Sequence, residues 1–361
     1  MQIISGRGVN GALVYCKILS EELVDRGHQV TIICKPKSWV KANVDQSKVR
    51  VIESTLRRFP LGELKRVAKL VRDQQIDLIH THMTRGQNFG VALKLMTGVP
   101  VVATAHNRHF ELHWNFNDFV IANSSSTFDY HRRVNLVPEK RMKTIYCCSD
   151  LEHLKQVSDN AVSSIRKNLT SSPDDFLIGL IGEIAIRKGH KYLVQALPAI
   201  IKQVPNTKVV FVGRFGRKQP HVRKLRKFIL ENNLAGRIKW TGRQSNVAEY
   251  LSACDVTVMP SIEEPLGLVA IESLMAGTPV VASATGGLVE IVRPNENGLL
   301  VPPANPTALA DAVIQLAQDS DLRMRLGSQG RQSVGDKFAP RTLIDQVEQI
   351  YHQLLPNVRA A

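Results

Sequence analysis

The 361-residue sequence contains no apolar run near the roughly 20 residues that a transmembrane helix needs, so no membrane-spanning segment is predicted. Its five cysteines are odd in number and lack CxxC spacing, which predicts reduced thiols rather than a disulfide framework. Aromatic residues make up only 6%, and no nucleic-acid-binding module is recognisable, so nucleic acid is not expected as a partner. No metal site is predicted, because no zinc-binding signature fits the spacing of the clustered histidines His80, His82, His106, His109 and His113.

Acidic residues are scarce relative to basic ones. The chain has 47 lysines and arginines against 32 aspartates and glutamates, a net charge of +15, and residues 1–150 carry 22 against 13. Such a surface favours an acidic partner, such as a phosphorylated glycan or anionic lipid headgroups. Charge that serves only solubility remains the alternative.

The order of apolar and amphipathic segments predicts the domain organisation. The length exceeds what one hydrophobic core usually fills, so two domains are expected. Short apolar runs alternate with amphipathic segments, which predicts βαβ units and parallel sheets. The first domain is assigned to residues 1–158 and the second to 176–338. Residues 159–175 are predicted to be a linker, because few large apolar residues follow Leu169 and residues 170–173 read Thr-Ser-Ser-Pro.

The most informative stretch is residues 264–272, which read EPLGLVAIE after a strand-like run at 256–259. Pro265 and Gly267 suit the first turn of a helix, where proline's missing N–H is not needed. The backbone N–H groups of Gly267, Leu268 and Val269 would then point out of the helix start. Together with the helix dipole, they would form a binding position for a phosphate.

Two glutamates flank this predicted phosphate position. Glu264 lies just before the helix start, and Glu272 lies on the second or third turn of the helix. One carboxylate can therefore face each side of a bound diphosphate, which suits a ligand built as sugar, diphosphate and ribose. A solvated helix start and a salt-bridged glutamate are the plain structural alternative.

Histidines end two predicted strands of the first domain. His106 follows the run at 99–105, and His82 follows the run at 78–81. The carboxyl ends of strands in an open α/β sheet are where ligands bind, so His106 could bond a sugar hydroxyl. A buried histidine that caps its strand is the alternative. The turn at 6–11 contains three glycines, which would let a ligand approach the backbone or simply serve a tight turn.

A βα loop in the second domain offers cations for a diphosphate. Lys188 and Arg187 follow the strand-like run at 176–182, where an ammonium could reach a bound phosphate. A surface lysine at a helix start is the alternative.

Residues 264–272 resemble the E-x7-E motif of retaining GT-B glycosyltransferases of family 4. The flanks at 253–256, 275–282 and 285–290 also resemble that family, and the similarity is strongest from about 176 to 316. The resemblance implies two Rossmann-like domains with parallel sheets facing an interdomain cleft. The second domain would bind a nucleotide-diphospho-sugar and the first domain the acceptor. A C-terminal helix within 339–361 would cross back onto the N-terminal domain.

The resemblance also implies residue roles. Glu264 would hold sugar hydroxyls and favour positive charge on the ring, while Glu272 would accept both ribose hydroxyls. His106 would lie beside the transferred sugar. The full sets that follow are Glu264, His106 and Lys188 as catalytic residues, Arg187, Lys188, Glu264, Gly267, Leu268, Val269, Glu272 and Arg214 at the nucleotide-sugar, and Asn10, Gly11 and His82 on the acceptor side.

The loop at 182–189 departs from the family pattern. The family has an arginine after the first glycine of this loop and a lysine before the last one; Lys188 matches its lysine, but Glu183 stands where the arginine is expected. This position therefore lacks one of the two cations that would offset the leaving diphosphate. Arg187 or Arg214 could take its place.

These expectations combine into one predicted function. The chain would transfer a hexosyl group from a nucleotide-diphospho-sugar, with retention, to a glycan or lipid-linked acceptor of envelope polysaccharide or lipopolysaccharide. It would need no cofactor or metal. A cytoplasmic location is predicted, with contact to anionic lipid at the inner membrane face as a further option. An inactive GT-B scaffold that binds a glycan or acidic partner, and a GT-B-like sugar-nucleotide epimerase or phosphorylase, stay open as alternatives.

Overall fold

The computed structural model of the chain describes residues 1–57, 61–149, 154, 156–216 and 219–355. The chain divides into two compact units. Unit 1 comprises Met1–Ser149 together with Phe338–Ala361, and unit 2 comprises Asp150–Lys337.

Unit 1 contains a seven-stranded sheet in which all pairs are parallel. Four of its strands are buried along their whole length, because a parallel sheet is covered on both faces. The strands are β1 Gln2–Ile4, β2 Thr31–Cys34, β3 Arg50–Glu53, β4 Ile79–His82, β5 Val101–Ala105, β6 Phe119–Ala122 and β7 Met142–Thr144. Their order in the sheet is β3-β2-β1-β4-β5-β6-β7.

Helices connect the strands of unit 1 and cover its sheet. They are α1 Gly11–Asp25, α2 Trp39–Asn43, α3 Leu61–Asp73, α4 Thr84–Thr97 and α5 Ser125–Arg133, with a 3-10 helix at Leu112–Phe116.

Unit 2 repeats this architecture with a six-stranded parallel sheet. Its strands are β8 Phe176–Ile181, β9 Thr207–Val212, β10 Ile238–Gly242, β11 Val256–Met259, β12 Val280–Ser283 and β13 Gly298–Val301. Their order in the sheet is β10-β9-β8-β11-β12-β13. Its helices are α6 Asp159–Leu169, α7 His190–Gln203, α8 Pro220–Glu231, α9 Val247–Ala253, α10 Leu268–Met275, α11 Leu288–Ile291, α12 Pro306–Gln318 and α13 Ser320–Val334.

The last helix, α14 (Pro340–Leu354), belongs to unit 1 and packs on α1. Arg26, just after α1, forms an ion pair with Glu348 of α14 at 2.5 Å. Ile344 and Val347 of α14 are fully buried. An apolar face and this ion pair therefore hold α14 to unit 1.

The strand orders determine where each sheet can bind a ligand. In both units the connections run one way from the first strand and then reverse, between β1 and β4 in unit 1 and between β8 and β11 in unit 2. At such a switch point the two adjacent loops leave in opposite directions and open a crevice at the carboxyl ends of the strands. Two parallel-sheet Rossmann-like domains, as predicted, are thus confirmed.

The predicted linker at 159–175 is wrong as a description of this segment. Residues Asp159–Leu169 form helix α6, which packs on α9 within unit 2. Arg166 of α6 donates to the carbonyl oxygen of Ala253 at 2.8 Å and pairs with Asp255 at 3.0 Å. The polar composition of this segment led to the linker prediction. α6 is nevertheless an amphipathic helix, and the residue that it buries is Leu169.

Two further observations concern composition. All five cysteines are buried free thiols. Among the described residues, no helix combines the length and the apolarity needed to span a membrane.

Candidate functional site

The loops that follow β8 and β11 form the candidate site of unit 2. Lys188 lies in the first of these loops and Glu264 in the second. The backbone joins the loops directly, because the N–H of Ile262 donates to the carbonyl oxygen of Arg187 at 2.8 Å. Gly189 permits this approach: it has φ +69°, and a Cβ there would lie 1.7 Å from the carbonyl oxygen of Pro260.

Lys188 and Glu264 form a buried ion pair at this junction. Lys188 Nζ lies 2.5 Å from Glu264 Oε2, and the two side chains are 13% and 8% exposed. Ser261 Oγ donates to the same carboxylate oxygen at 3.3 Å, and an Arg187 nitrogen lies 3.9 Å from Oε1. The sheet topology therefore brings together three residues that were predicted for the site, namely Arg187, Lys188 and Glu264.

The helix after Glu264 begins later than predicted. We expected Pro265 and Gly267 within its first turn, but α10 begins at Leu268 and Gly267 precedes it with φ +105°. Gly267 takes this left-handed conformation readily because it lacks a Cβ. The N–H groups of Leu268 and Val269 lie in the first turn, whereas that of Ala270 donates to the Gly267 carbonyl oxygen at 2.8 Å.

A second glycine turn closes against this segment. The N–H of Gly287 donates to the carbonyl oxygen of Glu264 at 2.9 Å. A Cβ on Gly286 would lie 1.9 Å from that same oxygen, so only glycine fits. The backbone of Glu264 is thus held from one side by residues 286–287, while Lys188 holds its side chain.

Glu272 and Arg214 were also predicted at the nucleotide-sugar. Glu272 is a half-buried residue of α10, one to two turns beyond the helix start. Arg214 pairs with Glu183 at 2.7 Å, and the two side chains are 76% and 49% exposed. Glu183, which departs from the family pattern, therefore neutralises Arg214, one of the two arginines expected to replace the missing cation. The other is Arg187, which lies near Glu264.

In unit 1, the predicted histidines lie in one hydrogen-bonded chain. His82 Nδ1 lies 3.2 Å from His106 Nε2, and His82 Nε2 lies 2.9 Å from Gln2 Oε1. His106 Nδ1 faces Cys147 Sγ at 3.6 Å. Gln2 Nε2 in turn donates to the Tyr351 hydroxyl of α14 at 3.4 Å.

This chain of hydrogen bonds fixes which ring nitrogen carries the proton in His82 and in His106. The carboxamide oxygen of Gln2 only accepts, so His82 carries its proton on Nε2 and accepts at Nδ1. His106 must then donate from Nε2 and accept at Nδ1, where the Cys147 thiol donates. Burial raises the pKa of that thiol well above its ordinary value, which keeps it protonated. Both His106 nitrogens therefore face protein groups, and its predicted contact with sugar stays a prediction.

Gln2, Cys147 and Tyr351 were not predicted from the sequence as partners of these histidines. Gln2 is a polar residue inside a buried strand, and Tyr351 lies on α14, nearly the full length of the chain away. A buried polar side chain needs a partner, so Gln2 could have been singled out. The partner itself could not, because it comes from the other end of the chain.

Buried histidines predict a pH dependence of stability. Burial lowers the pKa of His106 to about 3 and that of His131 to about 4, against about 6.5 when unfolded. The native state therefore binds fewer protons than the unfolded chain in this window. Stability present above pH 6.5 should be lost as the pH falls towards 4, by about 1.4 kcal/mol per pH unit per histidine.

Urea unfolding at pH 7.5 and pH 5.0 measures this loss. A His131→Gln variant should lose less stability between the two pH values than the unaltered chain. Equal unfolding free energies at both pH values would contradict the assignment of neutral, buried histidines.

Asn10 and Gly11, which were predicted on the acceptor side, lie at the start of α1. Asn10 Oδ1 accepts from the N–H groups of Ala12 and Leu13 at 3.0 and 3.2 Å, which caps the helix. Gly11 is the first helical residue and is exposed. The structure thus gives Asn10 a capping role, and its contact with an acceptor stays a prediction. Within the described part of the chain, no group of three or more ligating side chains could hold a metal ion.

Comparison with known proteins relates both units to described families. Residues 9–153 match the family described as Glycosyltransferase Family 4, and residues 162–333 match the one described as Glycosyl transferases group 1. The N-acetyl-alpha-D-glucosaminyl L-malate synthase of Bacillus anthracis is 25% identical over 371 residues, covering 96% of this chain and 95% of that protein.

Solved structures with the same fold include two that cover nearly the whole chain. The sucrose-phosphate synthase of Thermosynechococcus elongatus has a TM-score of 0.81 at 26% identity, covering 99% of this chain and 100% of that one. Anabaena Alr3699/HepE in complex with UDP-glucose has a TM-score of 0.86 at 23% identity, covering 98% and 100%.

Proposed function

Because the chain belongs to the GT-B glycosyltransferases, with a Family 4 domain followed by a group 1 domain, we propose that it transfers a hexosyl group from a nucleotide-diphospho-sugar with retention of anomeric configuration. The donor binds unit 2 at the loops after β8 and β11. The acceptor is a glycan or lipid-linked molecule of the cell envelope, and unit 1 binds it.

The observation that carries this proposal is the Lys188–Glu264 pair at the switch point of the second sheet. The reaction must stabilise a departing diphosphate and an oxocarbenium-like sugar. The Lys188 ammonium has three N–H groups, so it can bond Glu264 and a phosphate oxygen together. The N–H groups of Leu268 and Val269 add fixed positive dipole at the helix start.

Glu264 would act on the sugar. Its carboxylate, held by Lys188 and Ser261, would accept bonds from sugar hydroxyls and favour positive charge that develops on the ring. Glu272 would accept the ribose hydroxyls. Fixed side-chain and backbone groups would supply the charge that a metal ion supplies elsewhere, so the proposed reaction is independent of metal.

Similar proteins support the choice of substrates. Anabaena Alr3699/HepE was solved in complex with UDP-glucose, which favours a nucleotide-sugar donor here. The Bacillus anthracis relative is named for L-malate, a dicarboxylate, which suits an anionic acceptor. A place at the cytoplasmic face of the membrane would suit a lipid-linked acceptor and the basic surface.

Calorimetric titration with nucleoside diphosphates and nucleotide-sugars tests the donor proposal. We expect saturable one-site uptake by the unaltered chain and loss of uptake in Lys188→Ala. An inactive scaffold would take up neither ligand, and this result would overturn the proposal. Retention is tested separately by NMR of the newly formed product anomer, and an inverted product would refute it.

A further inference from the structure

Four basic side chains follow four adjacent strands of the first sheet. Lys35 directly follows β2, Arg7 lies three residues after β1, Arg85 lies three after β4 and Arg57 lies four after β3. In the sheet these strands are neighbours in the order β3-β2-β1-β4. All four strands are parallel, so the cations emerge at the same carboxyl edge and flank the switch point between β1 and β4.

Backbone packing brings together the loops that carry these basic side chains. The N–H of Trp39 donates to the carbonyl oxygen of Arg7 at 2.8 Å, and Ser38 Oγ donates to that of Gly6 at 3.1 Å. The loops after β1 and β2 are therefore joined. On the other side, Gly86 lies so close to β1 that a Cβ there would be 2.9 Å from the carbonyl oxygen of Ile3. The start of α4 is thus held against β1.

The four side chains of Arg7, Lys35, Arg57 and Arg85 form a cluster of positive charges. The pKa of Lys35 lies below its ordinary value because the ammonium is partly buried and because Arg85 and Arg7 face it with positive charge. Over the described residues, none of the four side chains forms a hydrogen bond or an ion pair. Arg26 of the same unit, by contrast, forms ion pairs with Glu22, Asp345 and Glu348.

A cavity of about 500 Å³ lies beside this cluster. Its wall includes Arg57, Arg85, Thr84, Asn88 and Glu111. Among the wall residues that the structure describes, Glu111 is acidic, and its Oε2 lies 3.5 Å from His113 Nε2. Unneutralised arginines around a cavity are destabilising by mutual repulsion, and they suit the planar, bidentate binding of phosphate or carboxylate.

We propose that this basic cavity binds an anionic group, a phosphate or a carboxylate, on the acceptor. Arg57 and Arg85 contact the anion, Lys35 and Arg7 add positive charge, and Thr84 and Asn88 bond neutral hydroxyls next to it. The assignment deepens the proposed function, because it rests on unit 1 as the acceptor-binding unit. It adds the chemical class of the acceptor and the residues that select it.

Calorimetric titration with glycerol 3-phosphate, and with glycerol as the uncharged counterpart, tests the proposal. Saturating nucleoside diphosphate is present, so that the site of unit 2 is occupied. We expect glycerol 3-phosphate to bind, glycerol not to bind, and both Arg57→Gln and Arg85→Gln to bind about tenfold to a hundredfold more weakly. Arg133→Gln removes an exposed arginine of the same unit outside the cluster and should bind as the unaltered chain does.

Melting in phosphate-free buffer separates binding from folding. Removing one cation from a like-charged cluster relieves repulsion, so Arg85→Gln should melt no lower than the unaltered chain. Failure of the donor proposal shows separately, as loss of nucleoside diphosphate uptake in the unaltered chain. Binding of glycerol 3-phosphate that persists in Lys188→Ala but is lost in Arg85→Gln would still support the anion site.

Vesicles distinguish a soluble phosphate from a lipid phosphate. Co-sedimentation with phosphatidylglycerol but not phosphatidylcholine vesicles, weakened by Arg57→Gln and Arg85→Gln, would assign the anion to a lipid acceptor. Glycerol 3-phosphate binding alone would assign it to a soluble one. The proposal would be overturned if Arg85→Gln bound glycerol 3-phosphate and phosphatidylglycerol vesicles as strongly as the unaltered chain does. It would also be overturned if the unaltered chain bound neither of them.

Discussion

Lys188→Ala is expected to reduce sugar transfer by at least about a hundredfold, because it removes the cation closest to both Glu264 and the proposed diphosphate. It should also destabilise unit 2 by about 3 kcal/mol, since removing one partner of a buried pair leaves the other charge uncompensated. Arg187 is too distant to replace it fully, at 3.9 Å and 47% exposed. Initial rates with a nucleotide-sugar donor and urea unfolding measure the two effects.

A double variant separates catalysis from stability. Lys188→Met combined with Glu264→Gln removes both charges, so stability should return towards that of the unaltered chain while transfer stays low. Glu264→Gln alone should also lose most of its activity. Near-normal transfer by Lys188→Ala or by Glu264→Gln would contradict the assigned roles.

The fold followed from the sequence because its signals are local. Apolar runs separated by amphipathic segments gave both parallel sheets, and strand β11 at Val256–Met259 lies where it was predicted. Helix α6 was missed because burial against α9, a tertiary contact, decides its structure. The start of α10 was placed too early, since Gly267 adopts a left-handed conformation that composition does not reveal.

The candidate site was predictable only in part. Lys188 and Glu264 are 76 residues apart, and the resemblance to a family named both. Their contact depends on β8 and β11 being adjacent in the sheet, which is a matter of strand order. The Glu183–Arg214 pair and the cluster of Arg7, Lys35, Arg57 and Arg85 were not predicted, because each gathers residues from different strand ends.

Gly189→Ala is expected to abolish most activity without touching a charged group. The added methyl would lie 1.7 Å from the carbonyl oxygen of Pro260, so the loop that carries Lys188 must move away from the one that carries Glu264. The residue also keeps a left-handed φ of +69°, which costs alanine about 1–2 kcal/mol by itself. We expect a total loss of at least about 3 kcal/mol in unfolding free energy and a fall in donor affinity.

Gly98→Ala is the matched control, because it isolates the clash from the backbone conformation. Gly98 has a similar φ of +76°, but nothing lies within 4 Å of the position its Cβ would take. This variant should pay only the conformational cost and keep its uptake of nucleoside diphosphate. If both variants lose the same stability and both keep donor binding, then the approach of the two loops does not create the site. The close contact at Gly189 would in that case be a feature of packing alone.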